Sequence, residues 1–229
     1  LRSKAGPARD FRPTVVFMVK VPVIGRAKTR LAKSIGGVAA TRFYRSASAA
    51  VIKRISRDTR WRTVLAVAPD HTRFSPVWPG GLARMGQGGG GLGHRMQAVM
   101  MSLPPGPVAI IGTDIPAVRP SHVAALFHAA RRQGVAFGPA ADGGYWAVVL
   151  RRTPLLLTPF AEARWSTEHA LSDTCNALPR GVSPAMCAVL EDVDDAHAYR
   201  TVQAWCGRQV LPAAATLSPE SVAGGPETG

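Results

Sequence analysis

With 229 residues, 46% of them hydrophobic, the chain has enough apolar material for one sizeable core, and a single α/β domain is the expectation. The formal charge of +14 is uneven: residues 1–62 carry 16 of the 28 Lys and Arg against only Asp10 and Asp58, and the remainder balances. That distribution disfavours a uniformly basic nucleic-acid coat and favours a focused anion site, while three scattered cysteines (Cys175, Cys187, Cys206) disfavour a disulfide framework or a metal knuckle.

Residues 1–13 are basic, lack the apolar stretch of a secretory leader and are expected to form a flexible tail. The β-branched run 14–20 (TVVFMVK) predicts a buried first strand. Phe43, Ala47, Val51 and Ile55 recur every four residues and predict a helix over 38–57, with Arg42, Arg45, Lys53 and Arg57 on another face. A strand is expected at 62–69 and a helix at 92–103, entered from a Gly-rich loop. Strand, helix and strand follow at 107–112, 120–133 and 135–139. A further strand is expected at 145–150, a helix at 167–178, a strand at 186–190 and a last helix at 195–206.

Repeated strand–loop–helix units of this length predict a three-layer, mainly parallel twisted sheet with helices on both faces. This single domain is expected over 14–210. The tail 211–229, rich in Ala, Pro, Gly and Ser, is expected to be disordered. No apolar run approaches the roughly 20 residues of a membrane helix, and the cysteine usage suits a reducing cytoplasm.

In open parallel sheets, ligands bind beyond the carboxyl ends of the strands, and four motifs fall there. The stretch MVKVPVIGRAKTRLAKSIG sets Arg26, Lys28, Arg30 and Lys33 after a strand with no acid among them, a composition suited to cradling a polyphosphate. It is not a Walker A loop, because no Gly precedes Lys28. Clustered like charges predict an exposed loop that is mobile without ligand, serving otherwise only as a basic surface loop.

In GQGGGGLGHRM the glycines let backbone approach a ligand closely, and Gln87 or the amides of Gly88, Gly89 and Gly90 are candidates to read a base or ribose. In IIGTDIP an apolar strand delivers Asp114 to its carboxyl end, where a carboxylate beside phosphate-binding cations suits Mg²⁺; the alternative is a turn or cap acid. Asp142 sits in a tight Gly turn within GPAADGGYW. In EDVDD, Asp192, Asp194 and Asp195 precede a helix, where one is its cap and another is a candidate second metal ligand.

The succession KVPVIGRAKTRL, QGGGGLGHRM, GTDIP, GPAADGGY, WST and DVD resembles, in order and spacing, the bacterial DUF2064 family, grouped with nucleotide-diphospho-sugar transferases of GT-A fold. The resemblance implies that Lys20, Arg26, Lys28 and Arg30 line nucleotide phosphates and that Asp114 binds the divalent metal; Gly25 joins the nucleotide-binding candidates, and Asp194 is the candidate second ligand for Mg²⁺ or Mn²⁺. It also implies that Asp142 and the Trp165-Ser166-Thr167 turn face an acceptor, and Gly143 and Tyr145, beside Asp142, are further acceptor-binding candidates. Gly91, His94 and Asp195-Ala196 depart from the family pattern.

Nucleotidyl transfer stabilises attack at an α-phosphate and departure of pyrophosphate, so it rewards several cations in the first loop more than glycosyl transfer does. The density of Arg26, Lys28 and Arg30 therefore favours transfer from a nucleoside triphosphate to a small phosphate-bearing acceptor, with Lys28, Arg30 and Asp114 as the catalytic groups. Glycosyl transfer from a nucleotide-sugar is the alternative. A non-catalytic nucleic-acid module built on Arg42, Arg45, Lys53 and Arg57 with Arg2, Lys4, Arg9 and Arg12 of the tail is a third reading, unsupported by any nucleic-acid motif.

Overall fold

The computed structural model describes residues 12–152, 157–193, 195 and 198–201. The two tails, Asp194 and most of the expected last helix lie outside the described residues; within them, residues 198–201 are helical.

The elements run β1 (Thr14–Lys20), α1 (Thr29–Ile35), α2 (Gly37–Ser56), β2 (Arg62–Ala68), β3 (Ala83–Gly86), α3 (Leu92–Met101) and β4 (Gly106–Ile111). They continue with α4 (Pro120–Gln133), β5 (Val135–Pro139), β6 (Tyr145–Arg152), α5 (Ala170–Asn176) and β7 (Ala185–Met186). One seven-stranded sheet takes the order β3-β2-β1-β4-β6-β5-β7. Only β6 runs against its neighbours, pairing antiparallel with both β4 and β5.

The pleat of β1 shows why the sheet is covered twice. Val15, Phe17 and Val19 point to a core completed by Val51, Ile52 and Ile55 of α2 and by Val123, Leu126 and Phe127 of α4. Val16 and Met18 point the other way, to Met96, Val99 and Met100 of α3 and to Leu171 and Cys175 of α5. Both faces of a strand this apolar must be buried, and the mainly parallel, three-layer architecture follows.

Three elements differ from expectation. The α1 helix, expected as loop, forms because Leu31 and Ala32 pack toward Ala40 and Val193. The short strand β3 (ARMG) has no apolar alternation to announce it. Strand β7 has only two residues, whereas five were expected, and its pairing with β5 continues only as a bridge from Ala140 to Leu190.

Candidate functional site

Strands β1 and β4 are parallel neighbours with Phe17 opposite Ile111, so the chain three residues further on carries Lys20 and Asp114 past the same sheet edge. Ladder pairing of this stretch ends at Gly112, whose N–H donates to the Trp146 carbonyl at 2.9 Å. A Cβ at Gly112 would meet the Asp114 carboxylate at 2.9 Å, so glycine makes room for the acid there. Behind this edge, the Lys20 amide donates to the Tyr44 hydroxyl (3.0 Å) and Ser48 donates to Thr113 (3.1 Å), which ties α2 to both strand ends. Burial pushes the Tyr44 pKa up, chiefly by desolvation, so its hydroxyl stays neutral. Beyond Asp114, Arg54 donates to the carbonyls of Pro116 and Val118, both at 2.7 Å, and fixes the turn.

Lys28 is not the exposed, repelling cation expected of this loop. Its side chain is only 6% exposed, and its ammonium lies 2.8 Å from Oδ2 of Asp114 and 3.9 Å from Oδ2 of Asp192. The backbone that delivers it is unusual: φ 50° and ψ 48° place a non-glycine residue in the left-handed region at the start of α1, at a cost of order 1 kcal/mol. Arg26 and Arg30 remain exposed, and Arg30 donates to the Ser166 carbonyl at 3.2 Å.

Gln87 is corrected as a base reader. Its amide is 3% exposed and donates to the carbonyls of Val19 (3.0 Å) and Ala66 (2.8 Å), joining β1 to β2. Its oxygen accepts from Arg95 at 3.2 Å, which aims that guanidinium at the site. Arg95 escaped the sequence reading, although a cation in the first turn of a helix opposes the helix dipole and so marks itself. The Gly-rich loop is pinned by Asp70, which accepts from the amides of Gln87 (2.9 Å) and Gly88 (3.1 Å).

Two clefts meet at this edge. One, of about 550 Å³, is lined by Lys28, Arg30, Gln87, Asp114, Asp142 and Ser166 among others. The second, of about 450 Å³, is more apolar, with Val21, Val23, Ala68, Pro69, Gly88 and Gly90 in its wall. Lys20, Arg26 and Arg95 line both, so cations stand where the two join. Gly25 and Gly89 line neither cleft; Gly25, at φ 78°, turns the first loop. A larger groove of about 790 Å³ lies along α2 beside Phe43, Ala47 and Tyr199, but among the described residues no acid lines it.

The expected acceptor residues divide. Asp142 and Ser166 line the cleft of about 550 Å³. Tyr145 and Trp165 do not: Tyr145 packs edge-on to Phe137 (5.1 Å) and Trp165 (6.0 Å), and both rings belong to the second core. Burial pushes the Tyr145 pKa strongly up, and its hydroxyl pairs with Thr174 at 3.5 Å. Gly143, at φ 83°, lets the turn press against the backbone of Glu168. Thr167 donates to the Arg164 carbonyl at 2.7 Å and serves its own turn.

The residues present fit a hard divalent cation, since the carboxylates of Asp114 and Asp192 already converge on one positive charge. Among the described residues no three His, Cys, Asp or Glu form a metal cluster, and Asp194 lies outside them.

The mainly parallel sheet with helices on both faces is an α/β fold that the chain shares with solved nucleotidyltransferases and nucleotide-diphospho-sugar transferase-like proteins, and the candidate site lies at the carboxyl ends of β1 and β4. The chain resembles a protein from Desulfovibrio desulfuricans G20 whose description as a nucleotide-diphospho-sugar transferase is itself provisional (TM-score 0.74, 23% identity, 83% of this chain and 86% of that one). It also resembles 4-diphosphocytidyl-2C-methyl-D-erythritol synthase from Anaerococcus prevotii DSM 20548 (TM-score 0.58, 9% identity, 86% and 98%). A third likeness is to CMP:2-keto-3-deoxy-manno-octonic acid synthetase in complex with CTP (TM-score 0.55, 13% identity, 87% and 100%). More particularly, residues 51–167, over half of the chain, match the family described as "Uncharacterized protein conserved in bacteria (DUF2064)", and the chain belongs to that family. No protein of curated function matches the sequence. Among the described residues, no helix is long and apolar enough to cross a membrane.

Proposed function

We propose that this chain is a Mg²⁺-dependent nucleotidyltransferase that moves a nucleotide from a nucleoside triphosphate to a small phosphate-bearing acceptor and releases pyrophosphate. One observation carries the reading: the cations of the first loop and the carboxylates of Asp114 and Asp192 meet at one sheet edge, where two clefts join. The apolar cleft beside Val21 and Pro69 suits a nucleoside, and Lys20, Arg26 and Arg95 at the junction suit its phosphates. Asp142, Ser166 and Arg30 then face the acceptor.

An acceptor phosphate oxygen attacks the α-phosphorus, the α–β bond breaks, and the pair of electrons leaves with pyrophosphate. Lys28 and Arg30 stabilise the charge that develops on the departing oxygens. A phosphate nucleophile needs no strong general base, and the acids that line the cleft among the described residues are Asp114 and Asp142. Asp114 and Asp192 would hold Mg²⁺ or Mn²⁺, which would offset phosphate charge when bound.

The likeness to the Desulfovibrio protein favours a second reading, glycosyl transfer from a nucleotide-sugar. Incubation with Mg²⁺, the four nucleoside triphosphates and a panel of sugar phosphates separates the two. The first reading expects pyrophosphate release that depends on acceptor. Nucleoside diphosphate release from nucleotide-sugars, without pyrophosphate from any triphosphate, replaces it with the second.

A further inference from the structure

Lys28 stands where the proposed metal would stand. We infer that Lys28 is an internal counterion for the Asp114–Asp192 pair, that a divalent cation must displace its ammonium, and that the displaced ammonium then binds phosphate. This rests on the metal-dependent reading above and adds to it a coupling: metal and phosphate bind better together than either does alone.

The geometry supports a swap confined to the side chain. The Lys28 carbonyl accepts from the Ala32 amide at 2.9 Å, so its backbone is anchored at the start of α1. Its left-handed φ of 50° turns the side chain inward, where it is 6% exposed. Two carboxylate oxygens at 2.8 and 3.9 Å hold the ammonium by charge. A doubly charged ion with its own preference for carboxylate oxygen competes for those atoms and repels the ammonium. The same cleft offers the released group a destination beside Arg26 and Arg30, and four methylenes give it the freedom to get there. Phosphate alone finds Lys28 engaged, and metal alone must expel it. Each ligand removes the obstacle to the other, and by linkage the coupling is the same in both directions.

The test follows Lys28 itself. Amine-selective acylation of the full chain, read residue by residue by mass spectrometry and normalised to exposed Lys33, should find Lys28 protected in the free protein. Mn²⁺ alone should raise its reactivity several-fold, and Mn²⁺ with inorganic tripolyphosphate should protect it again. Alongside, Lys28→Met keeps an unbranched chain without the charge. It should bind Mn²⁺ at least tenfold more tightly in the absence of phosphate, while the gain in Mn²⁺ affinity that tripolyphosphate confers on the wild type shrinks. Mn²⁺ that binds while Lys28 stays protected overturns the inference and leaves the metal-dependent reading standing. Failure of Mn²⁺ to bind wild type and variant alike, with or without tripolyphosphate, removes both.

Discussion

The two halves of the sheet's carboxyl edge use their conspicuous residues differently. Around β1 and β4, Lys28, Arg95 and Asp114 carry charge into a cleft, where Lys28 meets Asp114 and Arg95 meets the side-chain oxygen of Gln87. Around β6 and α5, Tyr145 and Trp165 do not line the cleft but pack, partly buried, against the second core, leaving Asp142 and Ser166 to face it. An ammonium 6% exposed is held only by a partner, so its position reports chemistry. A buried aromatic ring is satisfied by packing alone, so its presence beside a motif reports nothing about ligands.

Substitutions can break this contrast. The largest effect is expected at Asp114: Asp114→Asn keeps the shape and should lower turnover by about 100-fold or more, since metal ligation contributes several kcal/mol to transition-state stabilisation. Because Asp114 is the nearest partner of the buried Lys28 ammonium, the unfolding temperature should also fall somewhat while the protein stays folded; undiminished turnover would reduce Asp114 to a turn acid. On the opposite side, Gly143→Ala should destabilise the fold by roughly 1–3 kcal/mol, because φ is 83° and a Cβ would strike the Glu168 backbone. Denaturant melts check it, and unchanged stability would mean that the turn is free to move.

Arg95→Ala should weaken nucleotide binding by roughly ten- to a hundred-fold, the scale of one charge-assisted contact, with stability nearly unchanged. Calorimetric titration measures it, and wild-type affinity in that variant would leave Arg95 as a brace for Gln87 alone. Tyr145→Phe loses only a 3.5 Å contact to Thr174 and should cost under about 1 kcal/mol with no change in acceptor KM; a raised KM would return Tyr145 to the cleft.

The smallest effect concerns pH and lies away from the site. Burial, and then Arg119, lowers the pKa of His122, whose Nδ1 accepts the Arg119 amide at 3.3 Å where α4 begins. A depressed histidine contributes its stability above the ordinary value near 6.5 and loses it as pH falls through the folded value. Wild type should therefore lose slightly more stability than His122→Gln between pH 7.5 and 5.5, by under about 1 kcal/mol, the scale of one helix cap. Identical losses would show that His122 titrates alike in the folded and unfolded chain, with no depression of its pKa.

Asp114 was legible because an apolar strand running into GTDIP has one direction in which to send its acid. The charge of Lys28 was legible too, but its burial was not, since a helix beginning at Thr29 under Leu31 hides within a basic sequence. The reversed β6 carried a signal that went unread. Only residues 140–144 separate it from β5, too few for the crossover of a dozen or more residues that a parallel neighbour requires. Strand β3 had no such signal; ARMG becomes a strand only because β2 offers it an edge. Tyr145 and Trp165 could not be assigned from sequence, because a core ring and a ligand-binding ring have the same residue type and the same neighbours.

The central claim, a metal-dependent nucleotide site at the ends of β1 and β4, is tested most directly by thermal unfolding with each nucleoside triphosphate, in Mg²⁺ and in excess chelator. At 100 times its Kd, one triphosphate should stabilise the wild-type fold by about 2.7 kcal/mol in Mg²⁺, and that gain should collapse in chelator and in Asp114→Asn. Equal stabilisation in Mg²⁺, in chelator and in Asp114→Asn, or none from any triphosphate, would contradict the account.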